Sequence, residues 1–319
     1  MTLPRQLGPY RLLRRLGHGG MAEVFEARAY GASGFEKRVA IKTLRDELRG
    51  DAELERLLIE EAKLGARLAH RNIVQVHALG VDEGTYYVVM DFVDGADLGR
   101  LMDRADVPLE LSLLVLEEIA LALEHAHGLC DEGGRALGLV HRDVSPSNVL
   151  LSRAGEVKLA DFGIAKKTKL ADATRAGIRR GKYAYMSPEQ VMGRALGAAS
   201  DQFGLGVMLV ELLSGARPFD GASPVETMDL IREARLPTFV DWPADLEALA
   251  RRCLAREPDA RYPTTRALRE ALGVARDGRR ASVSELASWL VAALDDSSTQ
   301  RSAASRPHTI RTSTALDDA

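Results

Sequence analysis

Two cysteines in 319 residues, Cys130 and Cys253, are too few and too far apart for a disulfide framework. Neither belongs to a Cys-x-x-Cys pair, so both read as buried or incidental thiols rather than as a redox or metal site. Charge of one sign is also missing. Forty-three Lys and Arg stand against forty-six Asp and Glu, a formal net charge of −3, so nothing in the bulk balance points to nucleic acid or to a membrane surface. Electrostatic recognition must then be local. No apolar run approaches the ~20 residues that span a bilayer, and Met1-Thr2-Leu3-Pro4-Arg5 has no apolar core of signal-peptide length. The expectation is a cytoplasmic protein with no membrane anchor. There is no internal repeat.

What is present is periodicity of two kinds. Between Tyr10 and Tyr87, β-prone runs such as Arg38-Val39-Ala40-Ile41-Lys42 and Tyr86-Tyr87-Val88-Val89-Met90 alternate with turns. One helical stretch interrupts them, from about Ala52 to Leu68, with Leu54, Leu57, Leu58 and Leu64 on one face and a single acid, Glu61, among them. Asp94-Gly95 reads as a hinge turn. Helical patterns follow over Leu109 to Leu129, Phe203 to Leu213, Leu246 to Leu254 and Thr264 to Leu272. The run from Phe203 to Val210 is apolar all round and predicts a buried central helix, with Asp201 at its start as the cap. Ser282-Val283-Ser284-Glu285 has the form of a capping box. Val283, Leu286, Ala287, Leu290, Val291 and Leu294 then fall on one stripe, which predicts a further amphipathic helix. From Ser297 onward, Ser, Thr and Arg dominate with little to bury, and disorder is expected.

Chemistry enters at His141-Arg142-Asp143-Val144-Ser145-Pro146-Ser147-Asn148, followed thirteen residues after Asn148 by Asp161-Phe162-Gly163. An Asp and an Asn five apart, then a second Asp before Phe-Gly, offer a base and two oxygen ligands for Mg²⁺, the set that phosphoryl transfer needs. Upstream, Leu16-Gly17-His18-Gly19-Gly20-Met21-Ala22-Glu23-Val24 is a glycine-rich turn in which backbone N–H groups can approach phosphate oxygens. Alone it is a weak signal. It gains weight from Lys42, eighteen residues after Val24 and late in the run Val39-Ala40-Ile41-Lys42, since a cation held inward could reach phosphates. Glu61, an acid on an apolar stripe, is its natural counter-charge.

In these motifs the chain from about Tyr10 to Arg276 resembles the eukaryotic-like Ser/Thr protein kinases of bacteria. The resemblance implies an α+β bilobal fold, a small β-rich lobe with one helix and a larger helical lobe. It divides the chain into a lead over 1–9, an N-lobe and hinge over 10–93 and a C-lobe over 94–276, with an extra amphipathic helix over 277–296 and a disordered tail over 297–319. It implies ATP and Mg²⁺ as cofactors, protein substrates phosphorylated on Ser or Thr, and self-association for autophosphorylation in trans. Asp143 would be the base, Lys42, Glu61, Asn148 and Asp161 the remaining catalytic set, with Asn148 and Asp161 on the metal. Leu16, Gly17, His18, Gly19, Gly20 and Val24 would cover the nucleotide, Ala40 and Leu150 would join Val24 around the base, and Met90 would be the gatekeeper. Asp91 and Val93 would meet the adenine edge and Asp97 the ribose. Arg142 and Lys166 would receive a regulatory phosphate on Thr174 or, second, Thr168. Arg261 would pair with Glu189. Ser147, where tyrosine kinases usually carry Arg, and Pro146 favour Ser/Thr acceptors.

The departures are Ala22 at the third glycine position, Gly65 one turn after Glu61, an inserted loop over Cys130 to Arg135, and Ser145 in place of the catalytic-loop lysine. Lys182 occupies the position of a threonine that normally contacts that lysine, so cation and hydroxyl are expected to have exchanged places. The rival reading is a pseudokinase scaffold that binds partners through its helical lobe and tail.

Overall fold

Alternation with period two between Tyr10 and Asp91 builds an antiparallel sheet with two apolar faces. The computed structural model describes residues 3–162, 182–295 and 308–311. Of these, 3–94 and Phe162 form one unit and the rest a second. In the first, β1 (Arg5–Leu7), β2 (Tyr10–His18), β3 (Ala22–Tyr30), β4 (Glu36–Leu44), β5 (Val76–Asp82) and β6 (Thr85–Asp91) pair in the order β1-β2-β3-β4-β6-β5. Leu7, Leu12, Phe25, Val39, Ile41, Tyr87 and Val89 make one core cluster. The intervening Leu44 and Val88 pack on Leu58 and Ala62 of α1 (Ala52–Gly65). The short strand β1 lies inside the segment read as a lead, because Leu7 is only 2 % exposed and completes the first cluster.

Helix α1 starts where the Asp51 carboxylate accepts the N–H groups of Glu53 and Leu54 at 3.0 and 3.1 Å. It ends at Gly65, short of the expected Leu68. A Cβ on Gly65 would stand 2.7 Å from Val76 Cγ2. The volume that a larger residue would fill from the helix is therefore filled from β5.

The second unit opens with β7 (Gly95–Asp97), α2 (Leu98–Met102) and α3 (Leu109–His127), then β8 (Val149–Ser152) and β9 (Val157–Leu159), which with β7 form a three-stranded sheet. Next come α4 (Pro188–Val191), α5 (Ala198–Ser214), α6 (Pro224–Glu233), β10 (Thr238–Val240), α7 (Ala244–Cys253), α8 (Thr265–Arg276) and α9 (Val283–Asp295). Every residue of α5 from Ser200 to Val210 is buried. Phe203 stacks on Phe219 with ring centroids 5.7 Å apart. Asp201 does not cap this helix. The N-cap is Gly197, without a side-chain bond, and Asp201 sits a turn inside, where its carboxylate serves another loop.

The capping box at α9 is formed: Glu285 N donates to Ser282 Oγ at 3.2 Å and Ser282 N to Glu285 Oε2 at 2.7 Å. Leu286 and Leu290 are fully buried, α9 packs on α2 and β8, and Arg104 Nη1 donates to the Leu294 carbonyl at 3.3 Å. Beyond it, within the stretch expected to be disordered, Thr309–Arg311 form a strand, β11, paired antiparallel with β10. The reason is local: Ile310, the one aliphatic residue there, lies opposite Phe239, a contact too short to leave a periodic signal.

Gly155, in the β8–β9 turn, has φ +82, and a Cβ there would come within 2.2 Å of the Val283 carbonyl oxygen at the start of α9. Gly155→Ala should therefore cost about 2 kcal/mol or more through left-handed strain and displacement of α9. Urea denaturation checks this, and a stability equal to wild type would show that the turn relaxes freely.

Candidate active site

In the first unit the glycine turn joins β2 to β3, closed by Gly19 N–H donating to the Ala22 carbonyl at 2.8 Å. Gly17 pairs with Val24 and His18 with Glu23 across the ladder. Leu16 and Gly20 belong to the same turn and the strand entering it. Ala22, where a third glycine was the pattern, begins β3 and is 9 % exposed. Lys42 faces Val24 in β3 and Val88 in β6, while Ala40 faces Met90. Ladder partners point to the same side, so Val24, Ala40, Lys42 and Met90 share a face. That is also the face on which α1 lies through Leu58 and Ala62. Hence Glu61, one turn from Leu58, meets the lysine: Lys42 Nζ donates to Glu61 Oε1 at 2.5 Å, with side chains 10 % and 16 % exposed. Asp91, at the end of β6, accepts through Oδ1 from His77 Nε2 at 2.8 Å, and Val93 follows it in irregular backbone.

In the second unit the loop from His141 to Asn148 is held by a buried carboxylate. Asp201 Oδ2 accepts the N–H of His141 at 2.7 Å and Asp201 Oδ1 that of Arg142 at 2.8 Å. His127 Nε2 lies 2.8 Å from the same Oδ2, with Nδ1 2.8 Å from Thr265 Oγ1. Arg142 takes φ +67, a left-handed backbone that costs a non-glycine residue about 1–3 kcal/mol and persists only under such restraint. Its carbonyl accepts from Gln190 Nε2 at 2.9 Å. His141 is buried, with Asp143 N–H donating to Nδ1 at 3.2 Å and Nε2–H directed at the Ala160 carbonyl at 3.0 Å. Burial pushes its pKa down despite Asp201 and Asp143 nearby, so the ring is neutral, as this bonding pattern needs.

Asn148 closes the 3₁₀ turn Pro146–Asn148 and donates through Nδ2 to the Asp143 carbonyl and to Asp143 Oδ2, both at 2.8 Å. The five-residue spacing thus places carboxylate and amide side by side. The amide oxygen of Asn148 has the acceptor capacity that a cation needs. Asp161 has φ +56 and is exposed, directly after Ala160, whose N–H donates to the Asn148 carbonyl at 2.8 Å. These are hard oxygen donors, few in number, which suits Mg²⁺ completing its shell with water and phosphate. Asp97 pairs with Leu150 across β7–β8; its Oδ1 caps α2 by accepting from Arg100 N at 2.9 Å and its Oδ2 meets Arg100 Nε at 3.1 Å.

Ser145 is buried and its Oγ lies 3.1 Å from Ser147 Oγ, so among the described contacts its partner is a serine rather than a lysine. The side chain of Lys182, and all of Lys166, Thr168 and Thr174, lie outside the described residues. Glu189 and Arg261 form a buried two-pronged pair at 2.8 and 2.9 Å. Burial raises the Glu189 pKa, but bonds and charge from Arg261 outweigh it and hold the carboxyl below its ordinary value. Three positioning residues went unread in the sequence: Asp201 in this role, His127 and Gln190. A usable signal existed for the first, since an acid inside an apolar helix must find donors.

The first unit carries an inward Lys–Glu pair and the second a restrained Asp–Asn loop, the two local arrangements expected of a kinase fold. Residues 10–272 match the family described as protein kinase domain. The chain belongs to the protein kinase family. It is 38 % identical over 281 residues to the serine/threonine-protein kinase PknA of Mycobacterium tuberculosis, covering 86 % of this chain and 62 % of PknA. It is 34 % identical to the serine/threonine-protein kinase PrkC of Bacillus subtilis, over 86 % and 41 % of the two chains. A further relative, 41 % identical over 85 % of this chain and 44 % of its own, is named tyrosine-protein kinase MasK of Myxococcus xanthus. The chain thus spans about half the length of these relatives. The crystal structure of the Mycobacterium tuberculosis PknI kinase domain superposes with a TM-score of 0.60 at 29 % identity, covering 86 % of this chain and 98 % of that one. Among the described residues no helix is long and apolar enough to cross a membrane.

The neutral, buried His141 gives a pH test. Its folded pKa lies below the ordinary 6.5, so the unfolded chain binds the extra proton first. Stability is complete above about pH 6.5 and falls as the pH drops below it. Denaturation midpoints should decline between pH 6.5 and 5, before the carboxylates titrate, and His141→Asn should flatten that slope. An equal slope in the variant would show that another group is responsible.

Proposed function

We propose that this chain transfers the γ-phosphoryl group of ATP to Ser and Thr hydroxyls of proteins, itself included, in bacterial signalling. The observation that carries the reading is the conjunction of the part-buried Lys42–Glu61 pair with the Asp143–Asn148 bond. A scaffold that only bound partners would have no use for both. Lys42, oriented by Glu61, holds the α- and β-phosphates, with the turn from Leu16 to Val24 supplying backbone N–H groups. Ala40, Met90, Asp91, Val93, Asp97 and Leu150 contact the nucleoside. Asp143 accepts the proton of the substrate hydroxyl as that oxygen bonds to the γ-phosphorus and the bond to the ADP oxygen breaks. Asn148 holds the Asp143 carboxylate in place by its N–H bond, and with Asp161 would hold Mg²⁺. When bound, that ion neutralises charge on the phosphates.

Regulation in this reading runs through Arg142. Among the described residues its buried Nε has no hydrogen-bond acceptor, and a phosphate on Thr174, or on Thr168, would supply one with Lys166 beside it. The Lys182 ammonium replaces the charge missing at Ser145. Work in the cytoplasm and autophosphorylation between copies belong to the same proposal.

Lys42→Ala and Asp143→Ala should each leave a folded protein with phosphorylation of a generic acceptor lowered by ~10² to 10⁴. Wild-type turnover in either, with unchanged circular dichroism, would overturn that residue's role. Phosphoamino-acid analysis of the product should give phosphoserine and phosphothreonine; phosphotyrosine alone would move the chain toward the class that MasK's name denotes. Lys182→Ala should lose most turnover with ATP binding retained, and Ser145→Lys with Lys182→Thr should regain part of it. An unimpaired Lys182→Ala enzyme would remove the exchange of cation and hydroxyl.

A further inference from the structure

The pairing of β10 with β11 has no part in the chemistry above. Among the described residues strand β10 has no other neighbour: its sheet consists of β10 and β11. Without β11 its edge would present bare backbone donors and acceptors, the arrangement that takes up an added strand. Three features fit that edge to a particular occupant. Ile310 lies opposite Phe239, whose ring is packed edge-on against Trp242 at 4.8 Å and covered by the Arg251 guanidinium at 4.9 Å. Trp242 Nε1 donates to the Thr309 carbonyl at 3.0 Å. Asp241, turned to φ +59 at the end of β10, offers its carbonyl to His308 Nδ1 at 2.8 Å, and the His308 ring stands 6.1 Å from that of Trp242. Backbone, indole and imidazole contacts together hold one short segment, residues 308–311.

We propose that the β10 edge with Trp242 is a docking site for the chain's own residues 308–311, and that Thr309 is a phosphorylation site that stays closed while this strand is docked. The second half rests on the kinase reading. Thr309 is exposed, so its hydroxyl meets no steric bar where it lies. What it lacks in the docked state is freedom of its backbone. Phosphoryl transfer needs the acceptor oxygen in line with the γ-phosphorus at about 3 Å. That demands a chain free to be laid into another site, and here the residue's own carbonyl and both neighbours are bonded to β10, Asp241 and Trp242. Once released, Thr309 Oγ1 forms the new bond to phosphorus, ADP leaves with the bridging oxygen, and the hydroxyl proton passes to the Asp143 carboxylate. Docking and modification thus compete for one segment.

Two measurements on the full chain test this. In hydrogen–deuterium exchange, residues 238–240 and 309–311 should be protected together, and Ile310→Asp, a change at a half-buried position of the last strand, should remove protection from both. Protection of 238–240 that survives in Ile310→Asp would overturn the docking. After incubation with Mg·ATP, phosphate at Thr309 should accumulate about tenfold faster in Trp242→Ala than in wild type, the gain expected when a strand open about one-tenth of the time is freed. Trp242→Phe, which keeps the ring packing but lacks the Nε1 donor, should show a smaller gain in the same direction and serves if the alanine variant fails to fold. Equal rates at Thr309 in wild type and both variants, with a generic acceptor phosphorylated normally, would overturn the sheltering. Absence of phosphate on the generic acceptor as well would instead overturn the kinase reading and Thr309 modification with it, while the exchange result would still decide the docking.

Discussion

The carboxylate of Asp201 is the constraint on which the second unit's chemistry depends. An acid buried in an apolar helix cannot remain without donors, and this one takes the backbone N–H groups of two consecutive residues, His141 and Arg142, with His127 at its side. Accepting from both forces the backbone at Arg142 into the left-handed region. From there the loop's shape follows by short steps: His141 is turned so that its two nitrogens hold Asp143 N–H and the Ala160 carbonyl, and Asn148 is brought back onto Asp143. A fixed Asp143 carboxylate is the product of a charge that had to be satisfied elsewhere.

The first unit solves a parallel problem with a sheet and a helix. Lys42 cannot be buried without a counter-charge, and Glu61 cannot sit on an apolar helix face without one. The sheet's period of two and the helix's period of 3.6 place them on facing surfaces, so that each removes the other's cost. Val76 filling the volume over Gly65 shows that the same interface can be closed from the strand side.

Sequence alone was most informative where function is carried by close spacing. Asp143 and Asn148 are five residues apart, and a single loop suffices to join them. Lys42 and Glu61 are further apart, but each stands out against an apolar background. The capping box of α9 and its stripe were also legible, because cap and period are both local. What could not be read were contacts that depend on fold closure. Asp201 was taken for a helix cap because its true partners lie some sixty residues upstream. Strand β11 offered one aliphatic residue among hydroxyls and arginine, and only the exposed edge of β10 gives it a reason to order. Asp97 was expected at a ribose; its carboxylate caps α2, a contact that spacing does not reveal.

The family match ends at residue 272, whereas the packed structure continues through α9, with Leu286 and Leu290 wholly enclosed. The unit of shared ancestry is therefore smaller than the unit of folding. A fragment cut at the family boundary would carry an oily scar along α2 and β8 where the missing helix had lain, the kind of exposed patch that drives proteins to aggregate. Laboratory handling of this kinase domain, and any fusion that borrows it, must treat the thirteen residues of α9 as part of the folded unit.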